Sequence, residues 1–522
     1  MISQLPSNTL PGLINHFAQV AGASEAVVSG SVRLTYSQLC NASARAARGL
    51  EKLGVQRGDK VAVLMGNRAE WIVSAVAATA LGATVVALNT WWTPREIEYA
   101  MDHSEARLLV CSARYIRRDY AQDIEELRSR KRLKHLQAVV GVGDALPASW
   151  TSWAALLGDT SAPSLPSLST ADDVAYILYT SGSTSAPKGV QLLQGPLAEN
   201  TWHIGERMDL GPTDRLWLAV SLFWGFGCSN AMPAIFSHGG CLVLQESFDA
   251  GAALQLIEQE RCSVMYGTPN MIQAIAEHPE RSQRDLRSLR TGATLGSPEQ
   301  LRRAAQLAPQ ICNVYGLTEI YGNCHATSAS DPLELRLISS GRPIPGVSQR
   351  IVDMEHETVL GPGEVGEIRV KGRVMPAYLK DPQQTEAAFD ADGYFRTGDL
   401  GAVDAEGNLQ FRGRLKELVK TGGINVSPAE IEAVLMTHPG VEFALVAGIP
   451  DATRDEILGA VVIPRTGCQP TEDELRTHCK ALLANYKIPA LIRFSTEDAL
   501  PLTTTGKVHK SRLAEVFFGA EA

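Results

Sequence analysis

Between residues 179 and 190 the chain reads Tyr179-Thr180-Ser181-Gly182-Ser183-Thr184-Ser185-Ala186-Pro187-Lys188-Gly189-Val190. Thr180, Ser181, Ser183 and Thr184 supply hydroxyls, Gly182 and Gly189 free the backbone, and Lys188 brings one ammonium. A segment of this kind can wrap N–H and O–H donors around a polyphosphate while its lysine neutralises charge. The P-loop pattern G-x-x-x-x-G-K-[ST] is not met, because Gly189 rather than a hydroxyl residue follows the lysine. An ordinary Ser/Gly surface loop has the same composition. The apolar run from Val174 to Tyr179 favours instead a loop leaving the end of a buried strand.

Four further stretches carry chemistry-bearing residues. Asn313-Val314-Tyr315-Gly316-Leu317-Thr318-Glu319 combines a ring able to stack on a purine, a glycine that admits a ligand to the backbone, a hydroxyl for a phosphate and a carboxylate suited to Mg2+. Read alone, it serves equally as a strand-to-turn junction. In Gly393-Tyr394-Phe395-Arg396-Thr397-Gly398-Asp399-Leu400, Asp399 has the composition around it of a turn residue as well as of a ligand. Arg412 to Glu417, continuing into Lys420-Thr421-Gly422-Gly423-Ile424-Asn425, reads by itself as a charged linker. Pro501 to Lys510 places Lys507 in a polar loop, where a lone lysine is ordinarily solvated.

Taken together and in this order, the five stretches resemble the ANL superfamily of adenylate-forming enzymes, which includes acyl-coenzyme A synthetases, luciferases and peptide-synthetase adenylation domains. The resemblance spans residues 179 to 510. It implies that Thr180, Ser181, Gly182, Ser183, Thr184 and Lys188 cradle ATP, that Gly292, Ala293 and Thr294 form the purine-binding strand end, and that Asn313 and Gly316 belong to the same site. By the same resemblance Tyr315 flanks adenine, Thr318 contacts a phosphate, Glu319 binds Mg2+, Asp399 receives the ribose hydroxyls and Arg414 touches ribose or phosphate. Lys416 becomes the hinge of a small domain. Gly422 and Gly423 become the bare backbone strip along which pantetheine passes, and Lys507 becomes the cation of adenylation. Thr184, Glu319 and Lys507 form the implied catalytic set.

The implied reaction has two halves. A carboxylate and Mg·ATP give acyl-adenylate and pyrophosphate, and a nucleophile then displaces AMP. Ser221-Leu222-Phe223-Trp224-Gly225-Phe226-Gly227 resembles the family's P-[LM]-[FY]-H-x-x-G, with Ser221 for proline and Trp224 for histidine. Phe223, Trp224 and Gly225, with Tyr315, Gly316 and Leu317, are the implied acyl pocket. An indole there favours a medium-sized or cyclic apolar acid, although an ordinary core aromatic is the plainer reading. Gln194 stands where many members carry histidine, and Leu502 replaces a frequent basic residue. Thr421 to Asn425, and a chain that stops at residue 522 without a carrier domain, favour coenzyme A as acceptor. An amide ligase resembling the coronafacate ligases, joining the acid to an amino acid or other amine, is the alternative. A non-catalytic nucleotide sensor predicts loss of Lys507 or Glu319, and both are present; a luciferase-type oxygenase shares the motifs.

These residues need a scaffold, and the chain supplies one. At 522 residues it exceeds what one core supports, so two domains are expected: residues 1–414 for acid and ATP, and 415–522 as a mobile tail. From Lys60 onward, apolar runs at Val61–Leu64, Thr84–Leu88, Arg107–Cys111 and Ala138–Val142 alternate with amphipathic stretches, the signature of βαβ units. Strands recur at 216–220, 241–244, 264–266 and 289–295, and Glu364 to Leu409 reads as a β-rich subdomain. The fold class expected is α/β with a small α+β C-terminal domain. Thr35 with Gln38 opens a helix, and Ser427-Pro428 with Glu430 opens another through a capping box. Trp71 to Pro94 has no charged residue until after Pro94, yet Gly82 breaks it, so it reads as a buried helix followed by a buried strand rather than a membrane span. A net charge of −9 argues against a nucleic-acid partner. Nine scattered cysteines without a C-x-x-C pair, and an amino terminus without a signal-peptide pattern, suit a cytoplasmic enzyme acting as monomer or homodimer. The basic run Arg128 to Lys134 is expected to be a solvated helix face.

Overall fold

The computed structural model describes residues 4–158, 164–180, 187–421, 424–451, 455–483, 485–502 and 508–519, with backbone alone for Lys416, Ile424, Asn425 and Asp455. The chain divides into two compact units, Met1–Ser348 with Lys371–Phe395, and Gln349–Val370 with Arg396–Ala522. The expected division at residue 414 falls inside the second unit.

The first unit holds two sheets. One runs in the order Lys188–Leu193, Val174–Thr180, Thr84–Ala87, Lys60–Leu64, Leu108–Ser112, Ala138–Val142, Thr151–Ser152, and every neighbouring pair except the first is parallel. Val61, Ala62, Val63 and Leu64 are all fully buried, as a parallel strand covered on both faces requires. The other sheet has nine strands, with Gln310–Tyr315, Thr291–Thr294, Val264–Tyr266, Arg215–Leu218, Cys241–Leu244 and Glu25–Ser29 parallel in its centre and antiparallel pairs at both edges. Each sheet packs helices through its own apolar cluster, around Leu109 and Ile124 in the first and around Met265 and Ile257 in the second.

Local signals explain several helix ends. Tyr36–Lys52 opens on a reciprocal capping box between Thr35 and Gln38, and Gly54 beyond it takes φ +88°. Ala69–Ala80 is buried along its length except at Glu70, and Gly82 turns the chain with φ +73° into the buried strand Thr84–Ala87. Among the described residues no helix is long and apolar enough to cross a membrane. The basic run is ion-paired along helix faces, Arg128 with Glu125, Arg130 with Glu126, Arg132 with Glu98 and Lys134 with Asp102.

The second unit combines a four-stranded sheet, Ser348–Val352, Gly366–Lys371, Phe395–Val403 and Leu409–Arg414, with a five-stranded one built on the long hairpin Val441–Asp451 and Asp455–Pro464. One expectation fails here. Ser427 precedes the helix Pro428–Met436 but its hydroxyl makes no cap; it donates instead to the Arg412 carbonyl at 2.7 Å. Glu430, the other half of the expected capping box, pairs with Lys487 at 2.7 Å. A tertiary acceptor and a lysine have outcompeted the local reciprocal bonds.

Candidate active site

The loop rich in hydroxyls connects an antiparallel hairpin. Thr180 pairs with Lys188 and Tyr179 with Gly189, so the two ends of the loop leave the sheet side by side. Ser181, Gly182, Ser183 and Thr184 lie outside the described residues. The base of the hairpin is braced by rings: Trp92, Tyr99 and His103 lie edge-on to Tyr179, with centroids 6.0, 6.2 and 5.8 Å away. The Tyr179 hydroxyl donates to the Ala100 carbonyl at 3.2 Å, which leaves His103 Nδ1, 2.9 Å from the same oxygen, as a donor. Burial raises the Tyr179 phenol and lowers the His103 imidazole, so both stay neutral at pH 7. Tyr99 donates to the Pro187 carbonyl at 3.1 Å and so reaches the last turn before Lys188.

Gly292, Ala293 and Thr294 form the end of a central strand. Gly292 has φ +150°, and a Cβ there would meet the Met265 carbonyl oxygen at 1.9 Å, so close strand packing demands glycine. The Thr294 hydroxyl donates to the Gly267 carbonyl at 2.9 Å, and the Asn313 amide donates to Ser339 O at 2.8 Å. Tyr315 ends the next strand with its ring against His325. At Gly316 the backbone of Gly322 and Asn323 crosses so near that a Cβ would sit 1.9 Å from Gly322 O. The return crossing is tied down by buried amides that the sequence reading missed. Asn200 donates to Tyr321 O and Asn323 O at 3.2 and 2.8 Å, and Asn323 and Tyr266 both donate to Asn230 Oδ1 at 3.0 and 2.9 Å. This network fixes the turn that carries Thr318 and Glu319.

Glu319 accepts the Tyr378 hydroxyl on Oε1 at 3.0 Å, and its carbonyl accepts the Met375 amide at 2.7 Å. Oε2 has no hydrogen bond among the described residues, so one carboxylate oxygen is available to a metal. Among the described residues no cluster of three or more metal-ligating side chains exists. That donor set fits Mg2+, which keeps most of its waters and binds through one or two carboxylates together with substrate phosphates. The Lys188 ammonium lies 4.9 Å from the centre of the Tyr378 ring. Burial first, and then the Glu319 charge, hold the Tyr378 phenol well above the usual range.

The segment proposed for the acyl pocket is walled by three mutually edge-on rings. Trp91 meets Trp224 at 5.1 Å and Phe223 at 5.7 Å, and Phe223 meets Trp224 at 5.5 Å. Trp91 was not singled out from sequence; Trp91-Trp92 reads there as part of an apolar run. A Cβ on Gly225 would come within 3.8 Å of both Thr318 Oγ1 and Leu178 Cδ1, so the backbone that follows Trp224 passes beside Thr318. Gln194 is buried and its Oε1 accepts the Leu10 amide at 3.1 Å, a tie to the first helix. Leu502 is exposed.

In the second unit Asp399 and Arg414 are cross-strand partners, with Arg414 Nε 3.3 Å from the buried Asp399 carboxylate. Lys510 holds Glu432 at 2.8 Å and Glu417, next to Lys416, at 3.4 Å. Gly422, Gly423 and Lys507 lie outside the described residues; the flanking strands Val419–Thr421 and Ile424–Val426 pair antiparallel with Thr421 opposite Ile424.

This geometry has close counterparts. The AMP-binding enzyme family matches residues 14–379, and the AMP-binding enzyme C-terminal domain matches residues 430–507. A feruloyl-CoA synthase of Amycolatopsis sp is 33% identical over 96% of this chain and 97% of its own. The crystal structure of the anthranilate CoA ligase AuaEII in complex with anthranoyl-AMP superposes with a TM-score of 0.89 at 26% identity, over 99% of this chain and 98% of that one. The amide bond synthetase McbA from Marinactinospora thermotolerans superposes with a TM-score of 0.83 at 26% identity, over 97% of this chain and 99% of its own. Matches of this extent establish that the protein belongs to the AMP-binding enzyme family within the ANL superfamily and is an AMP-forming acid ligase.

Proposed function

We propose that the protein activates a ring-bearing or medium-sized apolar carboxylic acid and passes it to coenzyme A. The observation that carries the acid is the cluster of Trp91, Phe223 and Trp224, which ends at Gly225 beside Thr318, because packed aromatic rings offer apolar surface to a ring-bearing or aliphatic acid. The ring-bearing acids in the names of the feruloyl and anthranilate ligases support the same choice.

In the first half, a carboxylate oxygen of the acid attacks the α-phosphorus of ATP, the bond from that phosphorus to the β-bridging oxygen breaks, and pyrophosphate leaves with the electron pair. Thr180, Lys188 and the hydroxyls of Ser181, Ser183 and Thr184 hold the phosphates; Gly292, Ala293, Thr294, Asn313, Tyr315 and Gly316 receive the adenine side. Asp399, charged and with two acceptor oxygens, takes the ribose hydroxyls, with Arg414 beside it. Glu319 would hold Mg2+, which when bound neutralises phosphate charge. Lys507 stabilises the charge that develops at the α-phosphate, an electrostatic task without proton transfer. In the second half the thiolate sulfur of coenzyme A attacks the acyl carbonyl, the carbonyl–phosphate bond breaks, and AMP leaves. Gly422 and Gly423 flank the thiol arm, and residues 415–522 turn about Lys416 to exchange Lys507 for that strip.

An amide-forming second half is favoured by one observation, the 0.83 TM-score to an amide bond synthetase. Pyrophosphate release with a panel of aromatic, alicyclic and short acids tests the choice of acid. Release strongest with ring-bearing acids is expected; release strongest with acetate would refute it.

A further inference from the structure

Tyr378 lies 59 residues from Glu319 in sequence and belongs to none of the motifs. Its backbone is nevertheless fixed against the strand that bears Lys188. Leu379 N–H donates to Gly189 O at 2.7 Å, Gln191 N–H to Ala377 O at 3.3 Å, and Tyr378 bridges Val190. Its own amide donates to Thr385 Oγ1 at 3.0 Å. From that anchored position the side chain reaches two charged groups at once. The hydroxyl donates to Glu319 Oε1, and the ring face lies under the Lys188 ammonium. Met375, three residues earlier, grips the Glu319 carbonyl.

A buried tyrosine hydroxyl needs an acceptor, and here the acceptor is the Glu319 carboxylate while the same ring meets Lys188. We infer that Tyr378 is a positioning residue for adenylation: its O–H occupies Oε1 of Glu319 so that Oε2 faces the metal, and its ring holds the Lys188 ammonium at the end of the phosphate hairpin. The inference rests on the proposed assignment of Glu319 to Mg·ATP. A carboxylate whose second oxygen is already bonded cannot rotate freely, and outer partners of this kind commonly tune metal affinity by about 10- to 100-fold. The cation–π contact sets the position of Lys188 separately, because it needs the ring and not the hydroxyl.

The two functions come apart in two variants of the full chain, Tyr378→Phe and Tyr378→Leu. Binding of a non-hydrolysable ATP analogue is measured by calorimetry with Mg2+ and with chelator. Tyr378→Phe should weaken binding about tenfold in Mg2+ and leave metal-free binding unchanged, whereas Tyr378→Leu should weaken both. In a Glu319→Gln background, Tyr378→Phe should change nothing further. Unaltered Mg2+ dependence in Tyr378→Phe, with only a lowered melting temperature, would overturn the inference and leave the proposed function standing. So would a tenfold loss that persists in the Glu319→Gln background. A native protein whose analogue binding gains nothing from Mg2+ would overturn both the inference and the reading of Glu319 beneath it.

Discussion

Lys510→Met should destabilise the second unit by about 3–5 kcal/mol, because it leaves a buried carboxylate unpaired. Lys510 Nζ lies 2.8 and 3.0 Å from the two Glu432 oxygens and 3.4 Å from Glu417. Glu432 is 8% exposed and its remaining partner is the Val446 amide at 2.8 Å. Burial already raises the Glu432 carboxyl, with Lys510 opposing it. Burial also works against the charge on Lys510, and the two carboxylates more than offset it, so its pKa is raised. Without Lys510, Glu432 rises further, and the folded unit holds a proton that the unfolded chain has released above about pH 4.3. Stability of the variant therefore falls as pH rises from there through the folded pKa, and the penalty at pH 8 exceeds that at pH 5. All eight tryptophans lie between residues 71 and 224, so their fluorescence does not report on this unit. Hydrogen exchange of peptides covering Val441–Asp451 does. Lys510→Met should speed their exchange by about two to three and a half orders of magnitude, and Lys510→Met with Glu432→Gln should recover at least half of the loss, because the amide still accepts from Val446. A single-variant loss no larger than the roughly 1 kcal/mol of a surface pair, or a penalty that grows toward pH 5, would refute the reasoning.

Four other outcomes follow from the geometry. Gly292→Ala should lower stability by about 3 kcal/mol or more, read as a drop in the denaturation midpoint, because its Cβ would meet Met265 O at 1.9 Å in an adjacent strand. Trp91→Ala and Trp224→Ala should each shift kcat/KM between a ring-bearing acid and a bulkier one by about 10- to 100-fold, measured by pyrophosphate release. Asp399→Asn should raise KM for ATP by about tenfold with kcat less affected, as expected for loss of a charged acceptor on ribose, measured with saturating acid. Lys507→Ala should abolish adenylation yet leave thioester formation from supplied acyl-adenylate, assayed by chromatography of the coenzyme A product; equal loss of both halves would contradict the exchange of residues between them.

Much of the scaffold was legible because parallel strands buried on both faces leave continuous apolar runs. Val61 to Leu64, Ala138 to Val142 and Cys241 to Leu244 show this, and each recurs as a strand at or within one residue of its run. The helix after Thr35 was legible because both halves of its capping box lie within one turn. The box at Ser427 was not, since Arg412 O and Lys487 come from elsewhere in the chain and no local pattern announces them. The strand before the hydroxyl-rich segment was legible, but the hairpin was not: Lys188 to Leu193 lacks a period-two pattern, and pairing with Val174–Thr180 supplies the order. Tyr378, Trp91 and the amides of Asn200 and Asn323 act through partners more than 55 residues away, Asn230 acts through Asn323 and Tyr266, and nothing in their own surroundings marks them.

The central claim is tested most directly by incubating the protein with ATP, Mg2+, a ring-bearing acid, coenzyme A and a mixture of amino acids, and weighing every product by mass spectrometry. The account predicts AMP, pyrophosphate and one acyl-coenzyme A thioester in equal amounts. An amide in place of the thioester, or ADP in place of AMP, would contradict it.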